Sequence, residues 1–407
     1  MNKSLLLLSC TTAFACLGSA ASAAPALKWS TQQLTNEFHA EGAAAGDFNK
    51  DGKMDIVYGP WWFAGPEFTR KNQIYPPAAV NPRGYSKNFF NYCPDLNADG
   101  WTDVLVLGFP GEDSYWFENP KNATGDWKRY SILKVTDGES PVWADITGDG
   151  KPEIVCAQDG FFGYAQPGAD PTQPWPFTRV TSPGASSGRF THGMGVGDVN
   201  GDKKPDLLEK NGWWEQPADP RTQPVWTFHA VPFAEAGGAQ MYAYDFDGDG
   251  DNDIFTSLAA HNYGIAWYEQ SKDKDGKSIF AKHELMPTDP AAPSKVPLFS
   301  AIHAVDIADM NGDGIMDIVT GQRYWAHAPK EDGTGGDPGV NNPPVVYWYE
   351  VKPGGKSGAA EFIPHLVDDK SGVGTQVMIV ELDGQAPPEI VVGNKRGAFV
   401  SSAKLVP

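Results

Sequence analysis

Seven short acidic loops of one design recur along this 407-residue chain, and that repetition points to an array of similar units rather than to unrelated domains. Six follow D-x-[DNT]-x-D-G-x-x-[DE]-[ILV] or a near variant; a decayed seventh begins at Glu381. In the first, Asp47, Asn49, Asp51 and Asp55 supply side-chain oxygens, Lys53 can offer only its carbonyl, and Gly52 permits the sharp turn. The equivalent oxygens come from Asp95, Asn97, Asp99 and Asp103, then from Asp145, Thr147, Asp149 and Glu153. They continue with Asp198, Asn200, Asp202 and Asp206, with Asp245, Asp247, Asp249 and Asp253, and with Asp309, Asn311, Asp313 and Asp317. Such a set is an oxygen cage for a hard cation, calcium above all. It is not an EF-hand: position twelve of the first loop is Tyr58 instead of a bidentate Glu, and Val, Ile or Leu follows the last ligand, so each loop leads into a strand.

The loops start roughly 50 residues apart at first and further apart towards the end, a period that suits one small four-stranded sheet per repeat. The motif resembles the loops of the FG-GAP/VCBS repeat family, whose members form calcium-binding β-propellers. That resemblance spans essentially the whole chain after the leader and implies an all-β fold: a seven-bladed β-propeller over 24–407 with calcium-binding loops in its blades. The fourth loop departs from the pattern, carrying Lys203 where the glycine belongs. The seventh repeat runs out of residues after Phe399 and Val400, and the stretch from Leu27 to Leu34 has the missing strand pattern, so the N-terminal strand is expected to close the ring and remove two sheet edges. Aromatic pairs recur on each third strand, as in Trp213-Trp214-Glu215, Trp267-Tyr268-Glu269 and Trp348-Tyr349-Glu350, with His229, His283 and His365 at matching places on the fourth; both sets read as packing.

Residues 1–23 read as a secretory signal: Lys3, an apolar run over 5–17 too short to span a bilayer, then Ala21-Ser22-Ala23. A secreted or periplasmic protein without a membrane span is expected. Beyond the leader only Cys93 and Cys156 remain, so no disulfide framework holds the fold together. The formal charge of −19 argues against nucleic acid as a partner, although much of that excess is ligand charge that bound calcium would offset.

The inner strand of a blade runs along the central channel, so residues five or six positions before each loop lie about 16–20 Å away, on the opposite mouth. Those positions hold Glu41, Glu139, His192, Gln240, His303 and Gln376. Connections opening on the same mouth add Trp61, Asp159, Lys210, His261, Asn262, Arg323, Tyr324, His327, Lys395 and Arg396, and a Gly/Pro-rich insertion occupies about 325–344. The mix of aromatic, cationic and amide groups suits carbohydrate. For elimination next to a carbonyl, His192 or His303 would be the base, Tyr324 the acid, and Arg323 or Lys210 the electrostatic partner. Glu41, Glu139, Gln240, Gln376, Trp61, His261 and Asn262 would bind substrate; alternatively Glu139, His192 and His303 would hold an additional metal. Some propellers with similar repeats belong to keto-sugar dehydratases and polysaccharide lyases, and His192-Gly193 before the fourth loop with Gly212-Trp213-Trp214-Glu215 after it resembles the dehydratase pattern, which implies a lyase or dehydratase of keto- or acidic sugars. A non-catalytic module binding glycan or a protein partner through the same mouth is the other reading. No phosphate loop or H-E-x-x-H helix occurs.

Overall fold

The computed structural model describes residues 26–182, 187–220, 223, 225–355 and 358–406; the expected leader lies outside them. Among the described residues the regular structure is β, with 27 strands and no α-helix, so no helix is long and apolar enough to cross a membrane. Strand β1 (Ala26–Thr35) stands first in the chain but joins the last sheet. β2 (Ala44–Gly46), β3 (Asp55–Tyr58), β4 (Trp61–Ala64) and β5 (Arg70–Gln73) form an antiparallel meander.

A seven-stranded sheet follows: β6 (Asn88–Tyr92), β7 (Val104–Gly108), β8 (Glu112–Glu118), β9 (Lys128–Ala144), β10 (Glu153–Gln158), β11 (Phe161–Ala165) and β12 (Phe177–Arg179). It is one sheet because β9 is 17 residues long: Lys128 to Thr136 pair with β8, and Val142 to Ala144 pair with β10. One strand thus ends one meander and opens the next, where the repeat pattern would place a connection. The eight-stranded sheet comprises β13 (Met194–Gly197), β14 (Asp206–Glu209), β15 (Gly212–Glu215), β16 (Thr227–Ala230), β17 (Gln240–Tyr244), β18 (Asp253–Ser257), β19 (Ile265–Lys272) and β20 (Ser278–Met286). Its two meanders join through a short parallel pairing, Met194 with Gln240 and Gly195 with Met241. β21 (Val305–Ala308), β22 (Asp317–Gly321), β23 (Val346–Lys352) and β24 (Glu361–Asp368) form another meander. The last sheet runs β1-β27-β26-β25, built from β25 (Val377–Val380), β26 (Glu389–Asn394) and β27 (Gly397–Val406), with β1 antiparallel to β27 from Ala26↔Val406 to Thr35↔Ala398.

Second strands are buried on both faces, which explains why they read as unbroken apolar runs instead of alternating ones. Successive residues point into different clusters: Ile56 packs with Phe63, Val391 and Val400, whereas Val57 packs with Trp62, Val104 and Phe117. Ile318 and Val319 divide likewise between two clusters, one with Trp267, Tyr349 and Phe362, the other with Trp348, Ile390 and Val392. The core is therefore a series of layers between neighbouring sheets. First strands converge differently: Tyr92, Trp143, Val196, Tyr242, Asp306 and Met378, from β6, β9, β13, β17, β21 and β25, line one cavity of about 290 Å³.

The outer histidines do pack. His229, His283 and His365 stack on Trp213, Trp267 and Trp348 at 4.2, 4.5 and 4.3 Å between ring centroids, and each places Nε2 against the Glu of its third strand, Glu215, Glu269 or Glu350. Cys93 and Cys156 are free thiols, the latter buried.

Candidate functional site

Each acidic loop joins a first strand to a second. In the first loop Asp47 accepts the backbone N–H of Asp51 at 3.2 Å through Oδ1 and that of Gly52 at 2.9 Å through Oδ2. The same pair of bonds recurs on Asp95, Asp145, Asp198, Asp245 and Asp309. Lys203 keeps the turn despite its side chain: its φ of +68° sits beside the +79° of Gly52, a left-handed conformation that costs a non-glycine residue about 1 kcal/mol.

The ninth position has a role that the motif alone does not reveal. Asp55 accepts N–H bonds from Phe48 at 3.0 Å and Gly65 at 2.9 Å. Asp103, Asp206, Asp253 and Asp317 likewise each take one N–H from their own loop and one from the end of the third strand or just beyond it. These carboxylates are buried staples as well as candidate ligands. Burial, reinforced by neighbouring loop carboxylates, pushes Asp55 up to about 6, Asp317 to about 7 and Asp253 to about 8. Asp317→Ala should therefore cost roughly 2–6 kcal/mol by stranding the Met310 and Val351 N–H groups, at about 1–3 kcal/mol each. Denaturant unfolding checks this, and the loss should persist in chelator-treated protein if the staple itself is responsible.

All donors in these loops are oxygens on a sharply turned backbone, a set that fits calcium. Among the described residues, Asp145, Asp149 and Glu153, and separately Asp245, Asp247 and Asp249, already place one carboxylate oxygen each within 4.8 Å of one another.

At the other end of the first strands a second, chemically distinct set assembles. One ring nitrogen each of His192, His261 and His303 lies within 4.8 Å of the others, with His192 Nε2 and His261 Nε2 3.1 Å apart. His303 is 1% exposed; its Nδ1 donates to the Ala301 carbonyl at 3.2 Å, which fixes the tautomer and leaves the Nε2 lone pair buried without a partner. His192 Nδ1 is buried and unpartnered too. Desolvation, followed by the charges of His261, Arg323 and Lys210, pulls His192 down to about 3, and burial with the Arg323 charge holds His303 well below the usual range. Both imidazoles are thus neutral, so the 3.8 Å approach of Glu139 to His192 is not an ion pair. His327 stacks on His261 at 4.3 Å and places Nδ1 2.9 Å from Asp337 Oδ1, while half of its side chain faces solvent. Hydrogen bonds from His261 and His327 hold the Asp337 carboxyl low despite its burial.

Arg323 lies completely buried beside this set, donating to Glu41 at 3.1 Å and Glu139 at 3.4 Å, with its Nε unpartnered. Lys395, 2% exposed, carries an unpartnered Nζ 4.1 Å over the Tyr85 ring; burial lowers its amine to about 8. Unsatisfied buried polar atoms are uncommon, and several gather here.

The first-strand register thus brings Glu41, Glu139, His192 and His303 together with Arg323 and His261. His261 rather than Glu139 completes the metal-compatible trio. Lys210 is near enough for its charge to act on His192. Gln240 and Gln376 are spent on backbone: Gln240 bonds Thr375 and Val305, and Gln376 bonds Asn91 twice. Trp61 packs in the cluster of Ile56 and Phe63 under the Lys71 ammonium. Asn262 turns its side-chain oxygen to the Tyr263 N–H, and Tyr324 stacks on Trp325 beside Arg396, so none of these three joins the histidines. Asp337 was not singled out by sequence, because it sits in the irregular insertion where no repeat register marks it.

Similarity to known proteins bears on the repeat. The FG-GAP-like repeat profile matches residues 95–156 and 245–320. No curated protein matches the chain. Among solved structures, the Photorhabdus luminescens Tc holotoxin pore is similar at 16% identity and a TM-score of 0.38 over 78% of this chain, which spans only 14% of that protein. The V. cholerae biofilm matrix protein Bap1 is 10% identical, with 90% of this chain and 88% of that one covered at a TM-score of 0.45. The exotype rhamnogalacturonan lyase YesX is 11% identical, with 92% and 72% covered at a TM-score of 0.45. Two matched stretches, each holding two of the acidic loops, identify the chain as one that carries FG-GAP-like repeats.

Proposed function

We propose that the chain is an exported seven-bladed β-propeller, closed by β1, whose acidic loops hold calcium and whose opposite mouth is a metal-assisted carbohydrate lyase or dehydratase site. The ring reading is supported by the β1–β27 pairing, by layers packed between successive sheets and by first strands that share one cavity. The observation that carries the catalytic reading is the histidine trio, in particular the buried, unpartnered Nε2 of His303.

Neutral imidazoles oriented by a backbone carbonyl are the donor set of a zinc-class ion. When bound, such an ion supplies Lewis acidity to a carbonyl or carboxylate oxygen of the sugar. His327, held by Asp337 as a histidine–carboxylate dyad and half open to solvent, would remove the adjacent proton; His192 and His303, more deeply buried, serve better as ligands. Arg323 keeps Glu41 and Glu139 in place, and Tyr324 stands with Trp325 at the edge where a sugar ring enters.

His303→Ala should remove one transition-metal ion per chain and leave calcium content unchanged, as metal analysis would show. His327→Ala should retain both metals but lower turnover about 10²- to 10⁴-fold, followed as new ultraviolet absorbance from unsaturated sugar products. Saturable glycan binding with no turnover by the parent chain would instead assign a binding module. A metal-free trio would remove the Lewis-acid role.

A further inference from the structure

Beyond the trio, the mouth is edged by arginines laid on aromatic rings. Arg83 lies 5.4 Å from the Trp325 ring centroid, Arg189 5.0 Å from that of Phe190, and Arg396 5.1 Å from that of Tyr324, which itself stacks on Trp325 at 4.7 Å. Tyr85 ties the two halves: its hydroxyl donates to the Ala326 carbonyl at 2.8 Å, and its ring approaches Phe109, which in turn meets Phe190. His327 follows Ala326 directly, so the edge is continuous with the histidines. Phe190 is 51% exposed and Tyr85 38%.

Two features set this edge apart from the rest of the molecule. The chain has 51 acidic residues against 32 Lys and Arg, yet none of these three arginines meets a carboxylate within ion-pair distance among the described residues. Backbone carbonyls fix two of them, Pro329 accepting from Arg83 Nη1 and Pro110 from Arg189 Nε at 2.7 Å, and the remaining guanidinium N–H groups can meet a carboxylate two bonds at a time. The exposed rings beside them, Phe190 and Tyr85, match the apolar faces of pyranose rings. A neutral glycan would use the rings and leave the arginines idle.

We infer that this edge binds an acidic polysaccharide rich in uronic acid, its carboxylates on Arg83, Arg189 and Arg396 and its rings on the intervening aromatics. The inference rests on the carbohydrate reading of the mouth and names its substrate class.

Binding of a short oligogalacturonate to the full chain, against a malto-oligosaccharide of equal length, tests it by calorimetry at low and raised ionic strength. The uronate should bind and weaken with salt, and the neutral sugar should bind at least about tenfold less well. Arg83→Ala with Arg396→Ala should weaken the uronate about tenfold or more, and Phe190→Ala should weaken it while the salt dependence remains, all with unchanged melting temperature. Equal binding of the neutral sugar, uronate affinity within about twofold of the parent in all these variants, or binding of a sulfated sugar alone would overturn the inference. If uronate binding depends on the edge but no turnover occurs, the catalytic reading fails and this one stands.

Discussion

Stripping calcium should lower the melting temperature by on the order of 20 °C. An ion that binds only the folded state stabilises it by about 2.7 kcal/mol per site at a hundredfold excess over its dissociation constant, and six cages act together. The structure adds a reason why the loss should be steep. Asp103, Asp206 and Asp317 are pushed upward by burial and then by neighbouring loop carboxylates, and each also bolts its loop to the third strand or the residue just beyond it, so an unneutralised cage strains the staple as well as the loop. Scanning calorimetry before and after chelation, with calcium restored at the end, measures this. An unmoved transition in a protein containing no calcium would sink the cage reading. The Glu381 loop should add little: Leu382 N–H still bonds Glu389, but among the described residues no pair of backbone N–H groups meets Glu381.

Removing residues 26–35 should be more damaging still. β1 pairs along almost its full length with β27, and Leu27 and Trp29 pack against a cluster that holds Val346, Trp348, Val377 and Ile390, while Leu34 packs against the cluster of Ile56 and Val400. The deletion would uncover a ten-residue edge on β27 and open two core layers at once. The expected outcome is aggregation or a broad, early unfolding transition, visible in size-exclusion chromatography and calorimetry. A deletion variant that stays monomeric with the parent's melting temperature would show that closure does not depend on β1.

The repeat was legible because the acidic loops carry the same residue types at the same positions: Asp47 and Asp309 could be aligned without any structure. Counting back from the loops also brought Glu41, Glu139, His192 and His303 to one end of the first strands, since strand length is a fixed measure. The rest escaped for definite reasons. Asp337 and Trp325 lie in an insertion with no period to count along. The ninth carboxylates look like ligands in the motif, and only the burial of Asp253 and its two backbone donors reveals a staple. Trp61 resembled a sugar platform, but its place on a strand between two buried layers gives it a packing role. The continuity of β9 escaped because Gly138, at φ +93°, absorbs an irregularity in the pairing with β10 without ending the strand.

That uninterrupted strand bears on how the molecule opens. Elsewhere a loop separates one meander from the next, and local unfolding can stop there. Across β9 it cannot: loosening Lys128 to Thr136 from β8 pulls on Val142 to Ala144 against β10. The two meanders should therefore exchange their amide hydrogens as one cooperative block. Glu139, carried in the middle of that block and bonded to Arg323, is then the carboxylate of the mouth least free to move without a subglobal opening.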